Sequence, residues 1–249
     1  VTLQHIIESI TGESLRDFAR RHIFQPLGME HTDYYPCHLD KEGRWVNAPS
    51  TQPMQPIAPT ERQASGQVLR GQVHDPLARI LQGGISGNAG LFSTAGDIAI
   101  LCAMLQNGGS WSGHRILSPL GVEAMRRVPR EVAAFGRTPG WDISSPYASC
   151  NGNLLSPSTY GHTGYTGTCI VIDPETDTSV ILLTNAVHPV DEKSVVRLRT
   201  LVANAVAASI LTPYRQDSCG IQPTPHYRHR YLQFAEEQPI TGQDLVMLG

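Results

Sequence analysis

Two apolar segments in the second half of this chain constrain its fold more than any other feature. Residues 168–173 and 178–185 both have the composition of strands, and the four residues between them, 174–177, are typical of a hairpin turn. Both segments are apolar on both faces, so we expect an antiparallel hairpin that is covered on each side. A helix over residues 192–211 would supply part of that cover through Val196, Leu201, Val202 and Val206.

The segment just before the first strand predicts a ligand site. Residues 160–168 read YGHTGYTGT, so glycines and hydroxyl side chains stand at the entrance to an apolar strand. Glycine allows a ligand to approach the backbone closely, and hydroxyl groups can hydrogen-bond to that ligand. His162, Thr163 and Gly164 are therefore the candidate binding residues. The alternative is that they form only a tight entrance to the strand.

Several segments before residue 130 have the pattern of helices. Residues 1–10 and 15–24 predict two helices, the second of them capped by Ser14. Residues 94–97 resemble a capping box at the start of a longer helix, and residues 118–119 place a proline at the first position of another. The first helix would carry four apolar side chains on one face: Leu3, Ile6, Ile7 and Ile10.

The order of these elements predicts the fold class. Helices, then an antiparallel hairpin, then a packing helix indicate an α+β domain. We expect the domain to cover residues 1–211, and the polar residues 212–249, rich in proline and histidine, to be a tail or linker. Residues 30–70 show little periodicity, and so long an irregular segment is usually functional or lies over a cleft.

Three further positions allow more than one interpretation. Asp75 precedes Pro76 and is a good N-cap for a helix over residues 76–81, which we favour over a hydrogen-bonded His74–Asp75 pair near a cleft. Trp141 and Tyr147 can line either a pocket or the core.

Composition excludes several classes of function. The 249 residues are 40% hydrophobic and carry a net charge of −3, so the chain is globular and has no basic excess for binding nucleic acid. The sequence contains no run of eighteen apolar residues, so no membrane span is predicted. The five cysteines are odd in number and widely spaced, which excludes a full disulfide framework, and Cys102 and Cys169 read as core residues. His226 and His229 have no further ligand nearby, so no metal site is expected.

Six segments together resemble one family: IESITG at 7–12, IFQPLGM at 23–29, APTE at 58–61, GQVHD at 71–75, AGLFSTAGD at 89–97 and GHTG at 161–164. In content and order they are similar to the serine β-lactamase-related family, in its class C-like and low-molecular-weight penicillin-binding branch. Within that branch they look most like penicillin-binding protein 4B-type D-alanyl-D-alanine carboxypeptidases and related esterases. The resemblance runs over residues 1–211 and implies the C-terminal part of a β-lactamase/transpeptidase-like fold.

The resemblance implies acyl transfer through a serine ester, with backbone N–H groups stabilising the oxyanion. His162-Thr163-Gly164 matches the third family motif, K-T-G, with histidine in place of lysine. Thr163 would bind the substrate's carboxylate or amide, Gly164 would let the substrate backbone lie against the strand, and the backbone N–H of Tyr165 would donate to the oxyanion. Because histidine ordinarily titrates near pH ~6.5, the attraction of His162 for a carboxylate is expected to weaken as pH rises.

The other two family motifs are absent from the sequence. The nucleophile would require S-x-x-K, but the only lysines, Lys41 and Lys193, have no serine at that spacing, and no Y-x-N exists. Residues 86–88 and 149–151 satisfy S-x-N, which we interpret as chance matches. We therefore expect that the N-terminal part of the domain is missing and that this chain alone cannot be acylated.

The resemblance also defines the expected function and partners. The parent protein would hydrolyse D-alanyl peptides, β-lactams or small esters, and no metal or organic cofactor is implied. The expected partners are a small-molecule or peptidoglycan-peptide substrate and the missing N-terminal part of the same domain. Two alternatives stay open: an esterase parent, and a non-catalytic module that binds peptidoglycan or another protein. A periplasmic or exported location is implied by the resemblance alone.

Overall fold

The computed structural model describes residues 1–49, 56–146, 148–210 and 246–248. In chain order its helices are α1 (Thr2–Thr11), α2 (Leu15–Ala19), α3 (Gln25–Leu27), α4 (Pro76–Leu81), α5 (Ala95–Gln106), α6 (Pro119–Arg126) and α7 (Val196–Ser209). A π-helical turn (Arg20–Phe24) joins α2 to α3, and two 3₁₀ helices cover Arg130–Phe135 and Ala148–Asn151. The strands are β1 (Asp33–Tyr34), β2 (Cys37–Leu39), β3 (Trp45–Asn47), β4 (Leu91–Ser93), β5 (Ser110–Trp111), β6 (His114–Arg115), β7 (Tyr160–Thr163), β8 (Thr168–Asp173), β9 (Thr178–Leu183) and β10 (Val246–Leu248).

The sheet that contains the candidate binding segment is antiparallel, in the order β7-β8-β9. Its register places Gly161 opposite Val171 and Val171 opposite Val180. A second antiparallel sheet has the order β1-β4-β10, and two-stranded pairs are formed by β2 with β3 and by β5 with β6. Helices combined with antiparallel sheets confirm the predicted α+β class, and the β8–β9 hairpin lies where the sequence predicts it.

Both faces of the β7-β8-β9 sheet are covered, as their apolar composition predicts. On one face Tyr160 and Ile172 belong to the main core, which they share with Ile98 and Cys102 of α5. The opposite face carries a smaller cluster that contacts Val202 and Val206 of α7; its buried members are Cys150, Cys169, Val171 and Val180. Since complete burial of one such aliphatic side chain contributes about 1.5–3 kcal/mol, this double cover fixes the register of the three strands.

Of the four side chains of α7 predicted to pack against the sheet, two do so. Val202 and Val206 pack against the sheet, but Val196 and Leu201 do not, and Leu201 is 53% exposed. At about 3.6 residues per turn, the face that carries Val202 and Val206 also carries position 199, whereas position 201 points elsewhere. The sheet-facing positions of α7 thus include Arg199 and Ala203, both buried.

Helix α1 ends at Gly12, in the left-handed conformation at φ 70°, but its apolar face does not enter the core. Leu3 is 72% and Ile10 is 79% exposed. The buried residue of α1 is Gln4, whose amide donates to the Ile85 carbonyl at 3.2 Å and accepts from the backbone N–H of residue 87 at 3.0 Å. A polar side chain therefore attaches α1 to the rest of the described chain.

The helix caps follow the sequence closely. Ser14 accepts the Asp17 N–H at 3.1 Å, although the helix predicted over residues 15–24 is interrupted by the π-helical turn. Thr94 accepts the Asp97 N–H at 3.2 Å. The Asp97 carboxylate does not complete a capping box; it accepts the Thr32 hydroxyl at 2.6 Å and the backbone N–H of residue 31 at 2.8 Å. Asp97 therefore ties the start of α5 to the loop before β1.

The predicted tail, residues 212–249, lies outside the described residues except for β10, whose backbone pairs with β4. Within the described ranges, no helix combines the length and the apolar character that crossing a lipid bilayer requires.

Candidate functional site

The candidate binding segment lies at an open edge of the β7-β8-β9 sheet. On the outer side of β7, Gly161 exchanges two backbone hydrogen bonds with Asp142, at 2.8 and 3.0 Å. On the inner side, the Gly164 N–H donates to the Thr168 carbonyl at 2.7 Å. Because successive residues of a strand point their backbone groups to opposite edges, Thr163 at the end of β7 faces outward, beyond the point where Asp142 covers the edge. The Tyr165 N–H, in the turn that follows, also points outward, because it lies opposite the Gly164 carbonyl in one trans peptide and that carbonyl points into the turn.

A tight turn follows β7 and is held by backbone contacts. The Gly167 N–H donates to the Gly164 carbonyl at 3.1 Å, which closes the turn, and the Thr166 carbonyl accepts the Ala186 N–H at 2.7 Å. Gly167 has φ 122°, and a Cβ atom there would lie 2.6 Å from the Thr184 carbonyl oxygen. Only glycine fits that position without strain. The described residues provide no hydrogen-bond acceptor for the backbone N–H of Tyr165.

A buried arginine lies beneath this turn. Arg199 of α7 is 7% exposed, and its Nη2 donates to the carbonyls of Gly164 at 2.7 Å and Thr168 at 2.9 Å. Among the residues the structure describes, no carboxylate forms an ion pair with it. Sequence reasoning missed this residue because it lies on a helix more than thirty positions away.

The exposed Tyr165 side chain contacts two residues distant in sequence. Its hydroxyl donates to the Asp191 carboxylate, which raises the pKa of the Tyr165 phenol. The His74 ring stacks against it, with ring centroids 5.7 Å apart and planes inclined by 21°. These contacts hold the exposed Tyr165 ring at one position beside the turn.

His74 lies between the start of α4 and the Tyr165 ring. Asp75 accepts the Ala78 N–H at 2.7 Å and caps α4, which confirms the favoured interpretation of that residue. The His74 imidazole nevertheless reaches Tyr165, and its Nδ1 lies 3.9 Å from a carboxylate oxygen of Glu61. Burial lowers the pKa of His74, an effect that the nearby Glu61 and Asp191 carboxylates oppose.

The third-motif histidine has a cationic neighbour that the sequence did not reveal. His162 is exposed; its Nδ1 lies 2.9 Å from the Thr163 carbonyl oxygen, and its Nε2 lies 3.4 Å from Nη2 of Arg137. Arg137 also forms an ion pair with the buried Asp142, at 2.8 Å. This arrangement assigns the Nδ1–H tautomer, since Nδ1 then donates to the carbonyl while Nε2 accepts from the guanidinium.

The other positions singled out in the sequence have local structural contacts. The buried Ser86 hydroxyl donates to Asn88 at 2.5 Å, and the Asn151 amide donates to the carbonyls of residues 143 and 159. Trp141 lies in the core, edge-on to Tyr160 at 5.2 Å. Tyr147, Cys219, His226 and His229 lie outside the described residues.

The described cysteines belong to the interior. Cys37, Cys102, Cys150 and Cys169 are buried and free, and burial raises the pKa of the Cys102 and Cys150 thiols to about 12. Cys102 and Cys169 are thus core residues, as predicted. Across the same described ranges, no group of three or more His, Cys, Asp or Glu side chains is arranged to hold a metal ion.

Comparison with known proteins identifies the family. A family model described as Beta-lactamase matches residues 1–204. The chain belongs to the β-lactamase family. A curated relative from Escherichia coli K12, named "Putative D-alanyl-D-alanine carboxypeptidase", is 36% identical over 192 residues, which are 75% of this chain and 43% of the relative. A relative of the same name from Salmonella agona is 36% identical over 200 residues, with the same coverage. The chain thus spans less than half the length of these relatives.

Solved structures of similar fold support the fold assignment. A β-lactamase from Mycobacterium bovis aligns with a TM-score of 0.50 at 19% identity, over 84% of this chain and 61% of that protein. Simvastatin synthase from Aspergillus terreus aligns with a TM-score of 0.51 at 15% identity, over 84% of this chain and 54% of that protein. At such identities the likeness concerns the fold alone, and it confirms the β-lactamase/transpeptidase-like fold of this chain.

Proposed function

We propose that this β-lactamase-family chain supplies the substrate-binding wall and one oxyanion donor of a serine hydrolase that acts on D-alanyl peptides, β-lactams or small esters. The observation that carries the proposal is the open edge of β7, where Thr163 and Tyr165 face outward next to the motif His162-Thr163-Gly164. The carboxypeptidase name of relatives at 36% identity supports D-alanyl peptides as the preferred substrate class.

Binding would extend the sheet. A peptide ending in D-alanine would lie antiparallel to β7 and hydrogen-bond to its outward backbone groups, as in other strand-addition complexes. The Tyr165 N–H, which no described acceptor uses, would donate to the carbonyl oxygen under attack. The Thr163 hydroxyl would contact the terminal carboxylate. Arg137 beside His162 would provide a guanidinium donor that does not depend on the protonation of the histidine.

Acylation would need groups that this chain does not contain. With no S-x-x-K and no Y-x-N in its sequence, the chain alone would bind substrate without turnover. The missing nucleophile would belong to a further part of the catalytic domain, which would pack against residues 1–211. The exposed apolar side chains of Leu3, Ile6 and Ile10 on α1 support such a contact, because a complete domain would cover them.

The proposal is tested by amide chemical shifts of the 249-residue chain titrated with N-acetyl-D-alanyl-D-alanine. The expected result is saturable shifts at Thr163 and Tyr165 without hydrolysis, with weaker shifts for the L,L isomer as the matched control. Fluorescent penicillin should leave the chain unlabelled. Equal binding of both isomers, no binding of either, or covalent labelling would contradict the proposal.

The second candidate is a non-catalytic module that only binds peptidoglycan peptides, which the absence of S-x-x-K favours. A fusion of the N-terminal part of the Escherichia coli relative to this chain separates the two candidates. D-alanine release by the fusion supports the hydrolase, whereas binding without release supports the module. Release of acid from p-nitrophenyl acetate, without D-alanine release, would indicate an esterase.

A further inference from the structure

We propose that Arg199 is a positioning residue that directs the Tyr165 backbone N–H toward the open edge of β7 and places a buried positive charge behind it. The oxyanion part of this inference rests on the proposed function. The geometric part concerns the chain by itself and can be tested without substrate.

The geometry follows from one peptide group. The Gly164 carbonyl and the Tyr165 N–H belong to the same planar trans peptide, so they point in opposite directions. Arg199 Nη2 holds the carbonyl at 2.7 Å from the interior side, where α7 packs. The N–H at the other end of that peptide is therefore directed away from α7, toward the edge where a substrate carbonyl would lie.

The same nitrogen of Arg199 also holds the other end of the turn. Its second hydrogen bond goes to the Thr168 carbonyl at 2.9 Å, and that carbonyl in turn accepts the Gly164 N–H. One guanidinium nitrogen thus joins both carbonyls at the base of the turn. The planar guanidinium presents its donors in a fixed geometry, which a lysine ammonium does not provide.

The charge of Arg199 acts on the same peptide. No carboxylate among the described residues pairs with the guanidinium, and its titratable neighbours include the thiols of Cys150 and Cys169. Burial raises the pKa of both thiols, so they stay neutral at pH 7 and leave the positive charge uncompensated. A charged donor on the Gly164 carbonyl polarises the peptide and strengthens the Tyr165 N–H as a donor to an oxyanion.

If Arg199 served only to hold the turn together, its loss would open the turn. The Gly164 carbonyl already accepts the Gly167 N–H, and the Thr168 carbonyl already accepts the Gly164 N–H. Without Arg199 both carbonyls would keep a backbone donor, so the turn would stay closed. Replacing Arg199 by methionine removes the second donor to each carbonyl and the positive charge. The resulting change in amide chemical shift should therefore appear at Tyr165 rather than across the sheet.

The test compares ¹⁵N-labelled 249-residue chains carrying Arg199→Met, Arg199→Lys or Arg197→Met. Arg197 is an exposed arginine of the same helix and is the matched control. Arg199→Met should move the Tyr165 amide proton upfield and weaken binding of N-acetyl-D-alanyl-D-alanine about two- to threefold, because the Tyr165 N–H becomes a weaker donor once the charge behind its peptide is removed. Arg199→Lys should fall between Arg199→Met and the unsubstituted chain, and Arg197→Met should match the unsubstituted chain in both measurements.

The amide signals of Val171 and Val180 report whether the sheet stays folded. If they stay in place and Arg199→Met leaves the Tyr165 amide and the affinity unchanged, the inference is wrong. If Arg199→Met does not fold, Arg199→Lys becomes the test. The amide signal of Tyr165 should then shift while those of Val171 and Val180 stay in place. An unshifted Tyr165 signal in Arg199→Lys would overturn the inference. If the unsubstituted chain binds no dipeptide, the proposed function fails, while the Tyr165 shift in the ligand-free variants still decides the geometric inference.

Discussion

The turn after β7 and the helix α1 both carry family segments, yet their surroundings differ sharply. The turn is enclosed by α7 below, by the backbone after β9 beside it, and by His74 against the Tyr165 ring. Helix α1 exposes Leu3 and Ile10 and hydrogen-bonds to the rest of the described chain through the polar side chains of Gln4 and Glu8. Two segments can therefore both match the family in sequence while, within the described residues, one is buried by its neighbours and the other exposes its apolar side chains.

The largest expected difference is in the free energy of unfolding, when one isoleucine in the sheet next to the turn and one on α1 are each replaced by alanine. Ile172→Ala would open a cavity in the core beneath the sheet, where this side chain is completely buried, and should lower the free energy of unfolding by about 2–5 kcal/mol. Ile10→Ala on the exposed face of α1 should change it by less than about 0.5 kcal/mol. Urea denaturation measures both values. Similar losses at the two positions would mean that α1 is as well packed as the sheet.

The next largest difference in stability is expected between alanine substitutions at two glycines with positive φ, one in each region. Gly167→Ala would strain the backbone at φ 122° and force a Cβ against the Thr184 carbonyl, so we expect a loss of about 1–3 kcal/mol together with weaker dipeptide binding. Gly12→Ala at the end of α1 meets nothing within 4 Å and should cost about 1 kcal/mol from its left-handed conformation alone. Thermal unfolding and the dipeptide titration check both. A Gly12→Ala variant with reduced binding would contradict the separation of the two regions.

The smallest effect is a pH dependence that involves His74. Burial lowers the pKa of its imidazole in the folded chain, so the unfolded chain takes up this proton first as pH falls. The stability that neutral His74 contributes is present above pH ~6.5, the ordinary value, and is lost as pH falls below it. His74→Gln should therefore reduce the fall in unfolding free energy between pH 7.5 and 5.5. His5→Gln, at an exposed position of α1, should leave that fall unchanged, and an equal reduction in both variants would refute the assignment.

Local patterns in the sequence predicted much of the fold. The β8–β9 hairpin and the caps at Ser14, Asp75 and Thr94 depend on neighbouring residues, so periodicity and capping chemistry find them. Leu201 shows where such reasoning fails. Its apolar character suggested packing, but the orientation of α7 is set by contacts distributed along the whole helix, which place Arg199 and Ala203 against the sheet.

The sequence by itself determined the strand–turn segment at 160–168, the identity of its third-motif residues and the absence of a lysine-activated serine. Only the tertiary structure decided what surrounds that segment: Arg199 beneath it, Arg137 beside His162 and His74 against Tyr165. The physical reason is distance along the chain. Turns and caps depend on residues a few positions apart, whereas these three contacts join residues between 25 and 91 positions apart, which no local pattern specifies.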